Sequence, residues 1–279
     1  MIANLKNIVL VPTDFSEACS NAAHQAIDAA KLLNYKVVIL HVINSETLAY
    51  LQSESLPVNH IDIRLKNMAE DLMSIGGIQV EYLSREGSIF TTISVVANEI
   101  GANLIYLGTH GKTGIQRFIG SFALKVVISS PVPVVVVQKR PFDKGYKDII
   151  LPITSETGPW EKAKWAVYIA RQFNATIHVL LIADASEKVK NTANQIASYF
   201  EKNLISYSYK ESVKHSQFAQ QTIDYASSNN ADLIMIMTNP DKGFINFLLD
   251  SFDEEIIFNT SQIPVMCVNP RKLNYDFIA

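Results

Sequence analysis

Three groups of residues in this chain have types and spacing that could do chemistry. The stretch GTHGKTG at 108–114 carries glycines at 108, 111 and 114. Glycine tolerates positive φ and lets other groups approach the backbone, so successive N–H groups can turn inward as an anion nest. The pair Gly120-Ser121 stands where a helix should open, and a helix start offers unpaired N–H donors, the positive end of a dipole and, here, a hydroxyl. Asp14, within PTDFS, could accept hydrogen bonds from ribose hydroxyls. Each group also has a plainer reading: a turn, a helix cap, or in the case of Asp14 a cap of the following helix. Their convergence at one sheet edge favours a polyphosphate site.

Other chemistries lack their residues. The string GKT at 111–113 is not a P-loop, because that motif needs a glycine where Tyr106 stands and follows the first strand of its domain, not the fourth. His41 ends a strand and His110 sits in the glycine loop, but neither has the paired spacing of a metal site; His24, His60, His178 and His215 are scattered. No nucleophile–base pair and no carboxylate cluster is visible, so the sequence does not read as an enzyme. An adenylate-forming or pyrophosphatase reading would need a serine- and glycine-rich loop after the first strand, which PTDFSEACS does not supply.

The elements that must position these residues come from hydrophobic period. Apolar runs at 7–11, 36–42, 78–84, 103–107 and 132–138 read as strands. Between the first two lies a helix with the stripe Ala22, Ala23, Ala26, Ile27, Ala30 and Leu33 and with Ser16 as N-cap; further helices fit 61–75, 89–100 and 121–129. Strands alternating with helices imply a parallel sheet with helical crossovers, which binds ligands beyond the carboxyl ends of its strands near the point where strand order reverses.

The second half repeats this order, with strands expected at 148–152, 176–182, 204–209, 232–237 and 264–268 and a helix marked by Trp160, Ala163, Ala166, Val167, Ala170 and Phe173. VLVPTD at 9–14 answers IILPIT at 149–154, and ANLIYLGT at 102–109 answers ADLIMIMT at 231–238. A repeat this long means duplicated domains rather than a solenoid. KRPFDKGYK at 139–147 reads as the linker, which places the domains at 1–142 and 143–279. The fold class expected is α/β: two tandem doubly wound, Rossmann-like domains, each a five-stranded parallel sheet of order 3-2-1-4-5. The apolar edge strands 132–138 and 264–268 would need covering and are expected to pair with each other, an intramolecular pseudo-dimer; a further homodimer is left open.

Composition bounds the partners. A 48% apolar, 18% charged chain with net charge −3 lacks the basic footprint of a nucleic-acid or anionic-membrane binder. The start MIANLKNIVLVPTD enters a strand directly and reads as cytoplasmic. Two distant cysteines, Cys19 and Cys267, suit a reducing compartment.

VPTDFS, GTHGKTG, the Gly-Ser pair and SSPVPVVVV resemble the universal stress protein superfamily of UspA type, in its tandem form. The resemblance covers the whole chain and is carried by spaced motifs in the first half and by the internal repeat in the second. It implies an adenine nucleotide, ATP or else ADP or AMP with magnesium allowed for, in the N-terminal domain, where it would serve as a stress-response sensor or regulatory module with a protein partner the sequence does not name. In the ATP-binding branch Asp14 would hold the ribose and Val42 would offer its backbone to adenine. Gly108, His110, Gly111, Gly120, Ser121 and the Phe122 backbone would surround the phosphates, and Thr13 would line the pocket. One departure is that the family pattern places nine residues between its second and third glycines, whereas Gly111 and Gly120 enclose eight, 112–119. A missing residue moves Ser121 by up to ~3.5 Å unless the loop reroutes. In the second half Thr154, Met237, Pro240 and Asp250 replace Asp14, Gly108, Gly111 and Gly120, so no nucleotide is expected there. FINFLL at 244–249 reads as loop packing. The rival reading is a nucleotide-free interaction scaffold with both pockets remnant.

Overall fold

The computed structural model describes residues 6–109, 117–141, 145–154, 159–238 and 251–269. The chain divides into two units, Ala3–Phe142 and Asp143–Ala279. Unit one runs β1 (Ile8–Pro12), α1 (Glu17–Leu33), β2 (Lys36–Ile43), α2 (Ser45–Ser53), α3 (His60–Gly76), β3 (Val80–Glu86), α4 (Ile89–Ile100), β4 (Leu104–Gly108), α5 (Arg117–Ser129) and β5 (Val134–Val137). Its strands lie in the order β3-β2-β1-β4-β5, and every pairing is parallel. Unit two runs β6 (Asp148–Ile153), α6 (Pro159–Phe173), β7 (Thr176–Leu181), α7 (Glu187–Lys202), β8 (Tyr207–Glu211), α8 (Phe218–Ser228), β9 (Leu233–Met237), α9 (Ser251–Ile257) and β10 (Val265–Val268), with the corresponding order β8-β7-β6-β9-β10. Two tandem doubly wound α/β units are thus present, each with the expected strand order.

Burial follows position in each sheet. β1 and β5 are buried throughout and consist of apolar residues, as strands covered on both faces must be. The outer strands β3 and β8 expose most of their residues, and those are mainly polar. α1 lies on its sheet through Ala22, Ala23, Ala26, Ile27 and Ala30, all at most 1% exposed. Four alanines in that stripe let the helix backbone come close to the strands. Ser16 caps it, accepting the Cys19 N–H at 3.3 Å, as its sequence position predicts.

The repeat in sequence has structural causes. Asn103, just before β4, accepts the Ile8 N–H at 3.0 Å; its counterpart Asp232 accepts the N–H groups of Lys147 and Asp148 at 2.9 and 3.1 Å. Both seal the amino end of a central strand. Phe90 of α4 stacks on Phe122 of α5 at 5.1 Å, and Phe218 of α8 stacks on Phe252 of α9 at 5.6 Å. The aromatic pair therefore recurs in both units.

Several boundaries differ from the sequence reading. α2 is an additional helix; it buries only Thr47 and Leu51, too little for a visible stripe. β3 begins two residues late because Gly77 closes α3 in the left-handed region at φ 65°. Leu204, read as the start of β8, is 93% exposed with φ 57°, so it belongs to the turn that ends α7. α5 opens at Arg117, not at 121.

Candidate functional site

The site is built where β1 stops and its neighbours continue. Thr13 N–H donates to the Leu40 carbonyl at 2.8 Å, the last rung between β1 and β2, while β2 continues to Ile43 against β3. Peptide groups of a strand alternate between its two neighbours, so Val42, two residues on from Leu40, turns its N–H and C=O to the side β1 has just left. β1 lies between β2 and β4, and those two strands are reached by crossovers of opposite direction along the sheet. A crevice at that reversal point is where open α/β sheets bind ligands.

The chain leaves β1 through a tightly tied turn. Buried Thr13 accepts the Phe15 N–H on Oγ1 at 3.0 Å, and Asp14 Oδ1 accepts the Ser16 N–H at 2.8 Å. Asp14 itself is exposed and does not cap α1, since Ser16 does. Partial loss of hydration beside the turn acts to raise the Asp14 pKa, but hydrogen bonds from Ser16 and Cys19 outweigh it and hold the group below the usual carboxylate range. It presents a fixed anionic acceptor just beyond the carboxyl end of β1.

Phe15 stands at φ 65°, a costly conformation for a bulky residue. Its ring stacks on His41 at 4.9 Å and carries the Arg64 guanidinium 3.9 Å from its centroid. His41 is buried, with Nδ1 at 2.8 Å from the Thr13 carbonyl and Nε2 at 3.0 Å from Thr47 Oγ1. Thr47 belongs to α2, whose N-cap Asn44 accepts the Thr47 N–H at 2.9 Å. Sequence reasoning dismissed His41 and did not notice Phe15, Thr47 or Arg64. These residues come from separate elements, and no spacing links them.

Across the crevice, Gly108 ends β4, and a Cβ added there would lie 2.4 Å from the Ala18 carbonyl oxygen and 2.7 Å from the Cys19 N. The glycine is required by the close approach of α1, whatever else it does. His110, Gly111 and Gly114 lie outside the described residues, as does the 244–249 run. Gly120 and Ser121 are the fourth and fifth residues of α5 rather than its opening, so the helix's open N–H groups are displaced toward Arg117. The Phe122 ring is engaged by Phe90, over which Lys125 also stands at 4.3 Å.

In unit two Thr154 is exposed and Met237 half-buried at the corresponding positions, while Pro240 and Asp250 lie outside the described residues. Beneath that strand end Lys162 is fully enclosed, its ammonium donating to the Pro152 carbonyl. Burial pulls its pKa down to about 7, against the charge of buried Asp253, which acts to raise it. By the sequence repeat Lys162 and Asp253 occupy the places of Ala22 and Ala123. An open groove of about 540 Å³ in this unit is lined by Trp160 and by α7 residues including Asn191, Asn194 and Tyr199. Among the described residues no group of three His, Cys, Asp or Glu could hold a metal ion, and no helix is long and apolar enough to cross a membrane.

The fold defines a doubly wound α/β protein whose first sheet reverses strand order at β1, the position where open sheets of this kind bind ligands. Residues 6–138 match the Universal stress protein family. A universal stress protein of Methanocaldococcus jannaschii is 32% identical over 147 residues, covering 49% of this chain and 84% of that protein. One from Synechocystis is 28% identical over 131 residues, covering 46% and 83%. The crystal structure of a universal stress protein from Archaeoglobus fulgidus superposes with a TM-score of 0.78 at 17% identity, covering 95% of this chain and 98% of that one, a likeness of fold across both units. The chain belongs to the universal stress protein family, in its tandem form.

Proposed function

We propose that unit one binds an adenine nucleotide at the carboxyl ends of β1, β2 and β4 and acts as a non-catalytic sensor or regulatory module in a stress response, and that unit two does not bind one. The observation that carries this reading is the β1 exit: an ionised, exposed Asp14 held by Ser16 stands beside a β2 backbone that outruns its neighbour at Val42. Asp14 would take ribose hydroxyls and the Val42 peptide groups the edge of adenine. Thr13 would line the pocket, and the phosphates would lie toward Gly108, His110, Gly111, Gly120, Ser121 and the Phe122 backbone. ATP, ADP and AMP all fit this assignment, with magnesium carried on the phosphates. Calorimetry with ATP should saturate at one nucleotide per chain, and absence of binding would remove the proposal.

A second reading, a nucleotide-free interaction scaffold, is favoured by two observations. Gly108 is accounted for by α1 packing alone, and the Phe90–Phe122 stack is retained as Phe218–Phe252 in a unit without the glycine motif.

A further inference from the structure

The hydrogen bonds around His41 define its tautomer. The Thr13 carbonyl can only accept, so Nδ1 must carry a proton and donate to it across 2.8 Å. A neutral ring then has a lone pair on Nε2, which accepts the Thr47 hydroxyl across 3.0 Å. Thr47 Oγ1 has two other acceptors in reach, Asn44 Oδ1 at 3.1 Å and the Val42 carbonyl at 3.5 Å.

We propose that His41 and Thr47 form a relay that passes protonation of the buried ring to the Val42 carbonyl, making the adenine side of the crevice sensitive to acid. A second proton on the ring turns Nε2 into a donor toward Thr47 Oγ1. The threonine hydroxyl must then rotate its own proton away, onto Asn44 Oδ1 or onto the Val42 carbonyl. In the second case it occupies an acceptor that the adenine amino group would use. The regulation rests on the adenine-nucleotide reading above; the relay itself does not.

The surroundings determine where this happens on the pH scale. Burial opposes the second proton most strongly; the Thr13 carbonyl and the Asp14 charge from the β1–α1 turn favour it, and the Arg64 charge from α3 opposes it. α2 presents Thr47, and β3 places Ser84 opposite in register, neither of which titrates in this range. The net effect holds His41 below the ordinary histidine value, so the ring is neutral at pH 7 and takes its second proton only in acid.

Two measurements test this. Nitrogen-resolved NMR of the His41 ring in the ligand-free full chain should show the Nδ1–H tautomer at pH 8 and a second proton at Nε2 below pH 6.5. An Nε2–H tautomer at pH 8, or a ring that stays neutral until the chain unfolds, overturns the relay. Adenosine, which has no phosphates to titrate, is then the binding probe between pH 8 and pH 5. Its affinity should fall about three- to ten-fold through the His41 titration, the worth of one ordinary hydrogen bond. Thr47→Val, checked for folding by circular dichroism, should abolish that fall, and Thr47→Ser should restore it. Binding at pH 8 with no pH dependence, or a Thr47→Val variant with the parent's dependence, overturns the regulation alone. No adenosine binding at pH 8 overturns the nucleotide reading and the regulation with it, while the ring measurement still decides the relay.

Discussion

At the scale of single residues, Asp14 joins local structure to the proposed ligand. Removing a charged acceptor costs ~1.5–3 kcal/mol, so Asp14→Ala should weaken adenine-nucleotide binding by roughly ten- to a hundred-and-fifty-fold in calorimetry, while Thr154→Ala changes it little. The same variant should change the acid limb of stability. A carboxyl whose folded pKa lies below its unfolded value of 3.8 contributes stability above that value and loses it as pH falls through the folded pKa. Urea unfolding at pH 6 and at pH 3 should therefore show the parent losing more than Asp14→Ala does. Cys19 carries a second residue-scale expectation. Burial, with the Asp14 charge behind it, pushes its thiol pKa up to about 12, and Cys267 is likewise buried and raised. Both thiols should resist an alkylating reagent in the folded protein and react only when it unfolds. Gly108→Ala should destabilise by about 1–3 kcal/mol in thermal melts, because the new methyl meets α1 backbone that no rotamer can move.

At the scale of elements, the two units solve one packing problem differently. Where α1 and α5 bury Ala22 and Ala123, α6 and α9 bury the charged residues Lys162 and Asp253. Breaking one member of a buried charged pair costs about 3–5 kcal/mol, whereas replacing both is close to neutral. Lys162→Met and Asp253→Ala should each lower urea stability, and the double variant should lose less than either. An ammonium lowered from 10.5 to about 7 in the folded state leaves the unfolded chain holding more protons between those values, so the parent's stability should rise with pH across that window. The double variant should lose the rise. Element order was legible because buried parallel strands such as VLVP and VVVV are apolar without interruption. α2 was not, because two buried residues in nine make no stripe. In the site, Asp14 and the end of β2 could be read from motif and strand position. The His41 relay could not, since its partners lie 28 and 6 residues away in other elements and only the fold brings them together.

At the scale of the whole chain, duplication with divergence is the main feature. Unit two keeps packing features of unit one, an acceptor at the strand start (Asp232 in the place of Asn103) and an aromatic stack between its last two helices (Phe218–Phe252), rather than the acceptor and glycines of unit one. The proposed function and that asymmetry together predict one nucleotide per two units in a titration, and two equal sites would contradict it.

Both tryptophans, Trp160 and Trp165, belong to α6; the first is 39% exposed and the second fully buried. Unit one contains none. The chain thus carries a natural optical label in the unit expected to be empty, and tryptophan emission reports the unfolding of unit two alone. Far-ultraviolet circular dichroism, by contrast, reports helices in both units. A ligand that binds only the folded form of unit one raises that unit's stability by mass action. With saturating ATP, the dichroism melt should gain a later component while the emission melt stays where it was, if the units unfold independently. Equal shifts in both signals would instead measure the free energy that couples the two halves.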